Sequence, residues 1–120
     1  MKVFFIVEKK IYIKKYSHEI NKICNLSLFY LEDKTWPEFI KKNKYDLVIL
    51  YTNVIISRKQ SYYKILKDYV NKKKVYFVEV SHNKGKVETM KSISNCILQG
   101  LGILNWQFIK KIIKMKQNEI

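Results

Sequence analysis

The chain has 120 residues, 48% of them hydrophobic, and a formal charge of +14. That length predicts one α/β domain over 1–120, and the apolar content excludes a disordered chain. The charge invites a polyanion partner, but only Arg58 among the 24 basic residues is Arg, so bidentate base or phosphate contacts are almost excluded. The usage is that of an AT-rich genome, with no Ala, one Pro and three Gly beside 17 Ile, and such codons account for much of the Lys excess.

Val3-Phe4-Phe5-Ile6-Val7 reads as a first strand, apolar on both faces. A helix follows over Ile11–Cys24, with Tyr12, Ile13, Tyr16, Ile20, Ile23 and Cys24 on one side. Leu26–Leu31 is a second strand. Thr35-Trp36-Pro37-Glu38 predicts a helix start: Thr35 caps, Glu38 completes a capping box, and Pro37 sits where first-turn amides have no partner. Trp36, Phe39 and Ile40 are expected to face inward, with the helix ending near Asn43.

The central strand is Tyr45-Asp46-Leu47-Val48-Ile49-Leu50-Tyr51, around which the sheet is expected to form. Ser57 is an N-cap for a third helix whose core stripe is Tyr62, Ile65, Leu66, Tyr69 and Val70. Lys74–Val80 is a fourth strand and His82–Lys86 a loop. Val87–Ile93 reads as a short helix and Asn95–Gln99 as a fifth strand, the alternative being one longer helix over 87–104. The closing helix spans Trp106–Gln117, with Trp106, Ile109, Ile112 and Ile113 on one face and Lys110, Lys111 and Lys114 on the other.

Strands alternating with helices predict a three-layer α/β/α fold with a central parallel sheet of about five strands, in the flavodoxin-like order 2-1-3-4-5. No run approaches the ~18 apolar residues of a membrane span, and the five apolar residues after Lys2 are too few for a signal sequence. Cys24 and Cys96, far apart and without a CxxC, fit buried thiols in a reducing cytoplasm.

This order and length resemble a response-regulator receiver domain. Tyr45–Leu50 resembles the strand that carries the phosphoacceptor there, and Val75–Val80 resembles the next strand. The phosphoacceptor Asp should follow the strand, where Tyr51-Thr52-Asn53 stands instead. The acidic pair after the first strand is reduced to Glu8, and no Lys-Pro follows the fifth strand. The resemblance therefore implies a degenerate receiver without phosphotransfer.

In such a fold ligands bind beyond the carboxyl ends of the strands. The candidate ligand-binding residues of that rim are Glu8, Thr52, Asn53, Ser57, His82 and Asn83, with Ser81 beside them; Glu8, Asn53 and His82 offer an acid, an amide and an imidazole to a small polar ligand. Ordinary loop polarity and capping explain the same residues. The turn Glu8-Lys9-Lys10-Ile11 has no Gly, which argues against a phosphate cradle. His18, Cys24, His82 and Cys96 lack the paired spacing of a zinc site, so no metal and no cofactor are expected. Candidate nucleic-acid contacts are Lys9, Lys10, Lys14, Lys15, Lys41, Lys42, Lys110, Lys111 and Lys114, although a solvated Lys face is the ordinary account of the last three. The expectation is a non-catalytic regulatory or protein-interaction module acting through a protein partner or as a homo-oligomer. A Lys-rich nucleic-acid accessory protein and a small-ligand sensor or enzyme are the alternatives.

Overall fold

The structure, a computed structural model, describes residues 1–8, 14–52, 61–81, 96–99 and 103–119. Its strands are β1 (Lys2–Val7), β2 (Asn25–Tyr30), β3 (Leu47–Thr52), β4 (Tyr76–Ser81) and β5 (Cys96–Gln99). They form one sheet in the order β2-β1-β3-β4-β5, every pairing parallel. Cys96–Gln99 is thus the fifth strand, paired with Val78–Ser81.

Alternation along β1 sends Phe4 and Ile6 to one face and Val3, Phe5 and Val7 to the other, and all five are fully buried. On the first face Val48, Leu50 and Phe77 pack under α2 (Trp36–Lys42) and α3 (Ser61–Lys73), through Trp36, Ile40, Leu66, Tyr69 and Val70. On the second, Leu47, Ile49, Tyr51, Val78 and Val80 pack under α1 (Lys14–Asn21) and α4 (Ile103–Glu119), through Ile20, Trp106, Ile109, Ile112 and Ile113. The separation of α1 from α2 and α3 follows from chain direction. The chain steps outward from β1 to β2, then back past β1 to β3 and β4, and right-handed crossovers put helices on opposite faces for opposite directions. The β1/β3 boundary is therefore the switch point of the sheet.

Polar ties hold the register. The Lys2 N–H donates to Asp46 Oδ2 at 2.8 Å and the Asp46 N–H to the Lys2 carbonyl at 2.9 Å, which aligns β1 with β3. The Trp36 indole N–H donates to the Leu31 carbonyl at 3.0 Å, anchoring the start of α2. Tyr69 of α3 donates its hydroxyl to the Asn43 carbonyl at 2.8 Å and accepts the Tyr45 N–H at 3.1 Å. Between α1 and α4, Glu19 Oε2 meets Lys110 Nζ at 2.6 Å, and the Gln117 side-chain amide donates to the Ile23 carbonyl.

Three local expectations change. The first helix ends at Asn21, because Lys22, Ile23 and Cys24 turn back to bond the carbonyls of Glu19 and Ile20. Thr35 precedes α2 but makes no side-chain cap bond; its own backbone is helical (φ −88°, ψ −29°), which does not fit a residue capping from extended backbone. Phe39 does not enter the core with Trp36 and Ile40. It stays exposed and rests against Phe29 at the sheet margin, ring centroids 4.8 Å apart. The chain leaves α3 through Lys74 at φ 53°, a left-handed position of the kind that ends helices.

Candidate functional site

The strand carboxyl ends line up in one row. Tyr30, Val7, Tyr51, Val80 and Leu98 are successive partners across the sheet. One step further, Thr52 pairs with Ser81 and Ser81 with Gln99, while the Glu8 N–H donates to the Tyr51 carbonyl at 3.1 Å. The expected rim thus gathers Glu8, Thr52 and Ser81 at adjacent register positions. Glu8 is buried there. Asn53, Ser57, His82 and Asn83 lie outside the described residues, as do Lys9 and Lys10.

Under this rim the row is aromatic. Tyr51, fully buried, stacks on Trp106 (5.3 Å, 14°) and Phe5 (6.3 Å, 16°), and Phe5 lies parallel to Trp106 (5.8 Å, 5°). Offset stacks of this kind add about 0.5–1.5 kcal/mol per pair beyond area burial. Sequence reading placed Tyr51 at the strand end, but its ring partner stands on α4, near the other end of the chain. Glu79 lies inside the expected fourth strand but not among the expected site residues; it is fully buried in β4, beside Leu50 in register, a lone acid inside the apolar run Val75–Val80. Among the described residues no three His, Cys, Asp or Glu side chains gather as a metal site.

The described groups that titrate abnormally stand elsewhere. Burial pushes the Cys24 thiol up to about 11, and the thiol donates to the Ile20 carbonyl at 3.3 Å. Burial also raises the phenols of Tyr45 and Tyr69, each opposed by a hydrogen bond, with the Ser27 side chain and with the Tyr45 N–H respectively.

The Lys candidates divide between the two layers. Lys41 and Lys42 are exposed on α2, on one face of the sheet, whereas Lys110, Lys111 and Lys114 belong to α4 on the other, with α1, which begins at Lys14-Lys15. A groove of about 450 Å³ between α2 and α3 is lined by Lys41, Lys64, Lys72 and Lys73 against Asp68. On α4 a shallower hollow of similar size is lined by Phe108, Lys110, Lys111 and Lys114. Among the described residues no helix is long and apolar enough to cross a membrane.

No family model matches the chain, and no curated protein does. Solved structures do. A BeF3-activated DrrB receiver domain superposes with a TM-score of 0.69 at 12% identity, over 98% of this chain and 97% of that one. A two-component response regulator from Clostridium difficile gives 0.66 at 18% identity, over 98% and 99%. The signal receiver domain of a putative Luxo repressor protein from Vibrio parahaemolyticus gives 0.64 at 14% identity, over 98% and 93%. The fold is that of receiver domains, across nearly the whole of both chains.

Proposed function

We propose that this chain is a non-catalytic regulatory module on a receiver-like fold, acting through a protein partner or its own copies in a reducing cytoplasm. The carboxyl end of β3 carries the reading. There a fully buried Tyr51 stacks on Phe5 and Trp106 and Thr52 follows it, so among the described residues β3 ends without a carboxylate to offer a phosphoryl donor. The one described acid beside it, Glu8, is buried. The test is incubation of the purified protein with acetyl phosphate and Mg²⁺, read by intact mass. An unchanged mass is expected. A gain of one phosphoryl group, released by hydroxylamine as an acyl phosphate is, would overturn the reading.

A second reading, Lys-mediated binding of nucleic acid, is favoured by the groove between α2 and α3, with its four Lys against one Asp. It is weakened by the separation of Lys41 and Lys42 from Lys110, Lys111 and Lys114 on opposite layers, which denies one nucleic-acid strand both sets at once.

A further inference from the structure

Among the described residues β2 is bonded on one side only, to β1. The N–H groups of Asn25 and Leu31 donate to the carbonyls of Met1 and Val7 on the β1 side. The two-residue period of the strand then turns the N–H and C=O of Leu26, Leu28 and Tyr30 outward, along the open edge. Free edges are normally blunted by Lys, by Pro or by a bulge. In a chain with 28% charged residues, Asn25-Leu26-Ser27-Leu28-Phe29-Tyr30 contains no charge and no Pro, and its register with β1 runs unbroken over all six positions.

Two further observations select the occupant of this edge. Charge differs along it: exposed Lys22 precedes its amino end, and exposed Glu32 and Asp33, then Lys34, follow its carboxyl end. A second β2 laid antiparallel brings Lys22 of each copy toward the Glu32-Asp33-Lys34 turn of the other, which carries one net negative charge, whereas a parallel one sets like segments side by side. The side chains on the α1 side of the edge also form a complementary row. Leu28 and Tyr30 are 37% and 40% exposed. Beside Leu26 and Leu28 lies a groove of about 290 Å³ walled by Ser17, His18 and Asn21 of α1.

We infer that β2 pairs antiparallel with β2 of a second copy of this chain, about a two-fold axis through Leu28. In that register Leu28 faces its own copy, and Leu26 faces Tyr30 of the partner subunit. Each facing pair exchanges two backbone hydrogen bonds through the outward groups. The phenol from the second copy then lies over Leu26, at the mouth of the groove with His18 and Asn21. The result is one continuous sheet of two chains, with the exposed apolar row covered by itself. Six residues form a small edge beside the roughly 1,200–2,000 Å² of stable interfaces, so the dimer depends on concentration in the micromolar to millimolar range.

The inference deepens the reading of the chain as an interaction module but stands on the edge geometry. A monomer that takes no phosphoryl group removes this inference and leaves that reading in place. The test is sedimentation equilibrium of the full chain from roughly 10 μM to 1 mM, with amide hydrogen exchange on the same samples. Dimerisation is expected, with protection of the Leu26, Leu28 and Tyr30 amides rising with concentration while the Ser27 and Phe29 amides stay protected throughout. Leu28→Lys places two like charges opposite each other on the axis and is expected to weaken association about tenfold or more, with the circular dichroism of the monomer unchanged. A monomer across the range, a dimer whose Leu26, Leu28 and Tyr30 amides exchange freely, or a folded Leu28→Lys protein that dimerises as before overturns the inference. Should that variant fail to fold, the exchange pattern of the unaltered protein decides.

Discussion

Replacing Tyr69 by Phe removes one oxygen and leaves three elements without their common tie. The hydroxyl donates to the Asn43 carbonyl at the end of α2 and accepts the Tyr45 N–H just before β3, and Tyr45 and Tyr69 are both buried. The Tyr45 N–H then has no acceptor, at a cost of about 1–3 kcal/mol for a buried donor, while the half-buried Asn43 carbonyl can take water and loses about 0.5–1.5 kcal/mol. The expected loss is about 1.5–4.5 kcal/mol. Tyr45→Phe, which removes only the bond to Ser27 at 3.0 Å, is expected to cost about 0.5–1.5 kcal/mol. Urea unfolding measures both, because a loss of about 3 kcal/mol shifts the midpoint by roughly 1–3 M at constant slope. The same substitution has a pH signature. Burial raises the Tyr69 phenol above its ordinary value, so its stabilising contribution is full below about pH 10 and is lost as pH rises through the folded value. Stability should therefore fall above about pH 10 in the unaltered protein and less so in Tyr69→Phe. A midpoint within about 0.5 M of the parent, with the slope unchanged, would refute the argument that this hydroxyl joins the three elements.

Trp106→Ala opens the stack over Phe5 and Tyr51 and is expected to cost about 3–5 kcal/mol in urea unfolding, with loss of near-ultraviolet circular dichroism. Cys24, held up at about 11 by burial, should react with iodoacetamide at pH 8 roughly a hundredfold more slowly than a thiol of ordinary pKa. Its contribution to stability should be lost between about pH 9 and 11, and modification at the rate of an open thiol would place Cys24 outside the core margin. A labelled mixed-sequence DNA and RNA pool should show no binding at about 50 mM salt; binding that falls steeply toward about 200 mM would instead favour the Lys groove between α2 and α3.

The strands of this fold are easy to read because their apolar runs cannot serve any other layer. Val3–Val7 and Leu47–Tyr51 are apolar on both faces, which suits only a sheet covered twice, and both are fully buried. Helical stripes such as Ile109, Ile112 and Ile113 are equally plain, because period and burial coincide. Phe39 shows where periodicity stops: it lies in phase with Trp36 and Ile40, yet α2 overhangs the margin beside Phe29 and leaves it exposed. Thr35 shows that a capping pattern names a boundary without guaranteeing its bond. At the strand ends the rim positions of Glu8 and Thr52 were legible from where the apolar runs stop. The stacking of Tyr51 was not, because Trp106 reaches it only after the whole sheet has been wound.

The position of β1 between β2 and β3 also sets an order of assembly. Asp46 stands 44 positions from Lys2, while Asn25, the first β2 partner, is about half as far along the chain. Doubling a loop adds only about 0.6 kcal/mol to its closure, so pairing with β3 is barely harder to reach than pairing with β2. Time separates them instead. During synthesis Val3-Phe4-Phe5-Ile6-Val7 emerges before its β3 neighbour and lacks a partner on that side until residues 47–52 follow. Through that interval a short uncharged aromatic run lies open to like segments of other nascent chains. The burden on cellular quality control should therefore fall on the interval in which β1 has left the ribosome and β3 has not, and lengthening that interval should lower the soluble yield.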